Sequence, residues 1–194
     1  MKVIYVIAVS ATIVFSGCNE SRRGNDSKVN ETANEAAAES NTDKFQGQTQ
    51  RDAEFVYDVI ESNYGEIKLA ELANQRSRNN QVKQIAQTLL TDHTASLNEL
   101  KTLAQAKAIS IPVEERAASK RKLEDMAGES GEEFDKGWLK EMMGLHDETI
   151  EKFEKRMEDT NDAELKAYIS KTLPVLRKHH ESLEACNEKL KKNS

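Results

Sequence analysis

Val82-Lys83-Gln84-Ile85-Ala86-Gln87-Thr88-Leu89-Leu90-Thr91-Asp92-His93-Thr94-Ala95-Ser96-Leu97 sets the architecture. Its apolar positions, Val82, Ile85, Ala86 and Leu89, continue through Leu97, Leu100 and Ala104. Steps of three, four and seven trace one face of an α-helix. His93 occupies a place on that stripe where an apolar residue belongs. The pattern predicts a helix over 81–108, opened by Asn79-Asn80. It stops before Ile111-Pro112, because the residue preceding a proline avoids helical geometry.

The same grammar recurs on either side. A helix over 51–77 carries Phe55, Val59, Ser62, Glu66, Leu69 and Ala73 on one face. A helix over 131–158 carries Leu139, Met142, His146, Ile150, Phe153 and Met157. One over 161–191 carries Leu165, Ile169, Thr172, Leu176, His179, Leu183, Cys186 and Leu190. A shorter helix fits 114–127 and ends at Gly128. Thr49 with Asp52, Ser130 with Glu133, and Asn161 with Glu164 have capping-box spacing. No segment shows sustained strand alternation, and the whole chain has two prolines. The fold class is therefore all-α. Short turns near Arg78 and Asn161 make two antiparallel hairpins, and a longer crossover holds the short helix. That connectivity is the ferritin-like form of a four-helix bundle, with a simple up-down bundle as the alternative.

Each long helix thus places one glutamate or histidine on its buried face: Glu66, His93, His146 and His179. At 1.5 Å per residue, Glu66 lies about 18 Å from its turn and His93 about 22 Å. His146 and His179 lie about 22 and 27 Å from theirs, in helices about 42 Å long. All four fall near mid-height, a level that does not depend on helix direction. Burying them unpartnered would cost several kcal/mol. One solution is a single transition-metal ion (zinc, iron, copper or manganese) held by three imidazoles and a carboxylate. Another is a His–Glu hydrogen-bond network that fixes the bundle's register.

The neighbourhood narrows the chemistry. Leu90, Met143 and Leu176 stand three residues before the histidines, so the Glu-x-x-His signature of di-iron carboxylate bundles is absent. Met142 or Met143 could assist copper. Asp92 and Asp147 lie about 100° round the helix from their neighbouring histidines and could act only from the flank. His180, about 100° from His179, belongs in solvent. Pro174, inside the last helix, should bend it before His179. No Gly-rich phosphate loop or Gly-x-Ser-x-Gly elbow is present, so no reaction is assigned and no catalytic residue is named.

Ahead of the bundle, Met1-Lys2 and the apolar run 3–15 read as a signal segment over 1–17, too short for an ordinary membrane span. Ser16-Gly17-Cys18 resembles a bacterial lipobox, so Cys18 is the expected lipidation site and the membrane the expected partner. Cys186 is then the lone thiol of the mature chain and reads as a small buried side chain. Residues 18–48 are rich in Asn, Ser, Glu, Thr and Ala, and the composition predicts a flexible tether. The bundle domain is expected over 49–192. A net charge of −6, with 32% charged residues and no basic stripe, speaks against nucleic-acid binding.

Several stretches resemble the bacterial family known as domain of unknown function 4142. They are Asp52-Ala53-Glu54-Phe55-Val56, Gly65-Glu66 through Ala73, Val82-Lys83 through Asp92-His93, Ile111-Pro112, Phe134-Asp135 through His146 to Glu154, and Leu173-Pro174 through His179. The resemblance spans about residues 52–183 and implies a ferritin-like bundle in an exported or outer-membrane protein. Its motif positions fall on Glu66, Asp92, His93, His146, Pro174 and His179. Leu145 stands where the family often has Asp. The resemblance implies no activity. Together these readings describe a lipid-anchored envelope protein, at the outer membrane, with a metal-binding core cluster. The alternative is a non-enzymatic structural, interaction or stress-related envelope protein whose cluster is only a hydrogen-bond network.

Overall fold

Four helices of 27 to 31 residues build the bundle: α2 (Gly47–Arg76), α3 (Asn80–Ala106), α5 (Gly131–Asp159) and α6 (Ala163–Asn193). In the computed structural model, which describes residues 19–193, a long helix α1 (Asn19–Lys44) precedes them and a short α4 (Ala117–Ala127) lies in the crossover. The described residues contain no strand, and the fold is the all-α, ferritin-like bundle. Cys18 and the signal segment lie outside the described residues.

α2 packs on α3 and α5, and α6 packs on α5 and α3. The C-terminal part of α2 shares a core with the N-terminal parts of α3 and α5, so α3 and α5 run the same way. The chain must therefore climb back along the whole bundle between them, which excludes the simple up-down topology. There are two apolar cores. One gathers Phe55, Ile60, Leu100, Phe153, Leu165 and Ile169, with Phe55 edge-on to Phe153 at 5.0 Å between ring centroids. The other gathers Leu69, Val82, Leu89, Phe134, Trp138, Leu139 and Leu183, together with Cys186. Trp138 Nε1 donates to the Leu69 carbonyl at 2.9 Å, so the buried indole keeps its hydrogen bond.

Helix ends follow the sequence in part. Asn79 caps α3, its Oδ1 accepting from the Gln81 and Val82 amides. Thr49 and Asp52 do not form a capping box, because α2 begins earlier, at Gly47 with φ +58. Asp52 is buried and accepts instead from Arg156 Nη1 (3.1 Å) and Thr160 Oγ1 (2.9 Å), tying the α5–α6 turn to α2. The cap of α6 is Asp162 rather than Asn161, with Asp162 Oδ1 accepting from the Leu165 amide at 2.9 Å. Ser130 precedes α5 but makes no capping hydrogen bond with its side chain.

The largest departure is α1. The segment expected to be a tether is helical and docked. Asn41 donates to the Ser110 carbonyl (2.7 Å) and accepts from the Ser110 amide (2.8 Å). Asn34 donates to the Glu114 carbonyl (3.1 Å) and accepts from the Val113 amide (2.8 Å). Tyr57 Oη adds a bond to the Asn34 carbonyl. The crossover is non-helical there, and its unpaired backbone groups need partners. Composition measures apolar burial, and α1 docks chiefly through amides, so composition missed it.

Each such bond contributes about 0.5–1.5 kcal/mol net. Replacing Asn34 and Asn41 together by Ala should free α1, raising amide exchange over 30–44 and exposing it to limited proteolysis while the bundle still melts cooperatively. Unchanged protection of α1 in the double variant would refute the amide-clamp account.

Candidate functional site

Glu66, His93, His146 and His179 meet in one layer between the two apolar cores, and each is at most 4% exposed. Glu66 Oε2 lies 3.4 Å from His93 Nε2 and 3.5 Å from His146 Nδ1. The three imidazole rings have centroids 5.3–5.5 Å apart. One ligand atom from each histidine lies within 4.8 Å of the other two. Glu66 touches two rings but is not in that mutually close set. The sequence thus found all four members, and the structure draws them as a histidine triad with a flanking carboxyl.

Each ring's tautomer follows from its outer partner. Asn63 Nδ2 donates to the Val59 carbonyl at 2.8 Å, which turns its Oδ1 toward His93 Nδ1 at 3.0 Å. His93 Nδ1 must then carry the proton. His146 Nδ1 donates to the Met142 carbonyl at 2.9 Å, and His179 Nε2 donates to Asp92 Oδ2 at 2.8 Å. A neutral imidazole has one donor and one acceptor nitrogen. The acceptors are therefore His93 Nε2, His146 Nε2 and His179 Nδ1. His146 Nε2 and His179 Nδ1 stand 3.4 Å apart, lone pair toward lone pair. His93 Nε2 and Glu66 Oε2 are buried with no hydrogen-bond partner.

Burial dominates the electrostatics. It drives His93 well below the usual histidine range, helped by His146 and His179. It takes His146 down to about 4. His179 is lowered by burial as well, against the opposing pull of Asp92. Glu66 is pushed up to about 8 by burial, although Arg116 works the other way. The rings are thus neutral at physiological pH, with their lone pairs available. Burial opposes protonation at each ring, and the Glu66 carboxyl, which burial keeps protonated near neutral pH, faces the His93 Nε2 lone pair at 3.4 Å.

The three buried histidines could hold a metal ion. Two nitrogens about 2.05 Å from a tetrahedral ion stand about 3.3 Å apart. The His146–His179 separation matches that spacing. Histidine ligands typically hand their second N–H to a carboxylate, a carbonyl or a similar acceptor. Here Asp92, the Met142 carbonyl and Asn63 fill those places.

Three features escaped the sequence reading. Asn63 precedes Glu66 by three residues, a spacing that shares a helix face, and it is buried where Ser62 was expected. Asp92 does act from the flank, but on His179 of the neighbouring helix, which only the α3–α6 packing reveals. His180 is only part-exposed and pairs with Asp147 at 3.0 Å. Pro174 lies within α6 on its exposed side. Gly65 also has a role beside the cluster, because a Cβ there would come within 3.0 Å of Ser119 Oγ on α4. The glycine lets α4 lie close over α2 beside Glu66.

The family whose profile matches residues 32–186 is described as "Domain of unknown function (DUF4142)". The fold is similar to a crystal structure of a DUF305 fragment from Deinococcus radiodurans, with a TM-score of 0.65 and 13% identity. That match covers 72% of this chain and 96% of the fragment. No curated protein matches the chain.

The pKa shifts fix how metal-free stability depends on pH. The lowered histidines mean the unfolded chain binds more protons below 6.5, so His146 costs stability as pH falls from 6.5 through about 4. Glu66 is raised, so its contribution is complete below 4.5 and is lost as pH rises through about 8. Above 6.5 only the Glu66 effect remains among these groups. The Tm of metal-free protein should therefore decline between pH 6.5 and 8.5, and Glu66→Gln should flatten that decline. An equally steep decline in Glu66→Gln would show that another group is responsible.

Proposed function

This chain belongs to the family described as domain of unknown function DUF4142, and we propose that it is a lipid-anchored envelope protein that binds one transition-metal ion through His93, His146 and His179. The observation that carries the reading is the convergence of three buried imidazoles, one nitrogen of each within 4.8 Å of the others, while every ring commits an N–H to an outer acceptor. A hydrogen-bond network alone would leave the lone pairs of His146 Nε2 and His179 Nδ1 facing each other at 3.4 Å. Glu66 supplies the negative charge that a divalent ion favours, and loading an ion would favour its ionised form.

Neutral imidazoles without a thiolate suit borderline ions, and the hard-ion preference for oxygen disfavours manganese. Among the remainder, zinc and copper stand highest in affinity order. The anchor reading rests on Ser16-Gly17-Cys18 after the apolar run 3–15, and the family resemblance supports an outer-membrane location for it. The role follows as metal binding or handling in the envelope, and no reaction is assigned to it.

Two measurements decide this. Elemental analysis of the purified protein should return close to one zinc or copper per chain, and His93→Ala should lower the affinity on the order of a hundredfold or more. A chain that stays metal-free after zinc or copper loading would reduce the cluster to a structural network. Separately, Cys18→Ser should abolish palmitate labelling and release the protein from the membrane fraction. Retention of both in the variant would remove the anchor from the proposal.

A further inference from the structure

We propose that the ion's remaining coordination position accepts a small uncharged donor molecule entering through the groove between α3 and α6. This rests on the metal-binding reading above. Three histidines fill three positions of a four-coordinate ion, the arrangement of sites that keep one position for an exogenous ligand. Glu66 Oε2 lies 3.5 Å from His146 Nδ1, the nitrogen whose proton goes to the Met142 carbonyl, so it sits off the lone-pair side of that ring and leaves that position unfilled.

The groove has a volume of about 160 Å³, and His93 and His179 are among its lining residues. Ala95, Ser96 and Thr172 also line it, and all three are small. A cavity of about 150 Å³ is enough for a benzene ring, so an imidazole-sized molecule fits. Ser96 Oγ and Tyr168 Oη share a hydrogen bond of 2.6 Å at this wall, which offers a polar partner for an N–H or O–H group on the guest. Asp92 and Glu99 also line the groove, whereas Lys171 alone is basic and is engaged by Glu99 at 2.6 Å. The residual negative charge selects against anions.

The opposite approach does not reach the imidazoles. A second cavity of about 250 Å³, bounded by α2, α4 and α5, reaches Glu66 but is lined by no histidine. His146, on α5, is fully buried. Of these two cavities, the α3–α6 groove is the one bounded by histidine side chains.

The test uses the full chain loaded with Co(II), whose visible absorption reports its ligands. Imidazole should shift the bands saturably, and azide should bind on the order of tenfold more weakly or worse. Thr172→Phe should weaken imidazole binding by about tenfold or more while leaving the Co(II) bands and stoichiometry unchanged. Ala95→Phe, on the facing helix, should do the same and stands in if Thr172→Phe folds poorly. Lys122→Trp, in the opposite cavity, should leave imidazole binding as it is. Intact Co(II) bands that imidazole does not move would overturn the open position but spare the metal site. Wild-type imidazole affinity in both groove variants, or its loss in Lys122→Trp, would overturn the route. Absence of Co(II) bands in the wild type would sink the metal reading and this inference with it.

Discussion

A polar layer at mid-height separates two apolar cores, and the rest of the bundle is arranged around satisfying it. Phe55, Leu100, Phe153 and Ile169 pack on one side of it, and Leu69, Leu89, Trp138 and Leu183 on the other. Four helices each give one titratable group to the layer. Removing such groups from water costs several kcal/mol each unless partners are supplied. A shift of any helix by one turn would set an imidazole against leucine and a leucine against imidazole. The layer therefore fixes the relative heights of all four helices, while the apolar cores supply most of the burial that holds them together.

The partners are unlike one another. A side-chain amide, a peptide carbonyl and a carboxylate each take one N–H, from His93, His146 and His179 respectively. The shared outcome is that one proton position is prescribed on every ring. Burial then keeps the rings neutral, because no counter-charge in the layer outweighs the loss of water. The same low-dielectric setting raises Glu66. An ion would reverse the balance for the carboxyl without disturbing the outer hydrogen bonds. Gly65 and Ser119 contribute by letting α4 close over the neighbourhood of Glu66.

The crossover has a separate device. Because α3 and α5 run the same way, the connection must travel the height of the bundle, and part of it has no helical hydrogen bonds of its own. α1 supplies them through Asn34 and Asn41, which are buried among its described side chains, in a helix with almost no apolar stripe. The contact is directional and hydrophilic, unlike the packing of α2 on α3.

The sequence by itself determined the four long helices, their turns, the crossover and the four residues of the polar layer. Those follow from a 3.6-residue period and from a rise per residue that places mid-helix groups at one height in any topology. Tertiary structure alone decided what each group faces. Asp92 meets His179 because α3 and α6 are neighbours, and Asn63 meets His93 across α2 and α3. Asp52 serves Arg156 and Thr160 rather than a helix cap. Docking of α1 was equally invisible to periodicity, since hydrogen bonds from two asparagines leave no repeating apolar signal. Periodicity records which face of a helix is dry. Which neighbour supplies a lone pair or a proton depends on distances of about 3 Å between segments far apart in the chain.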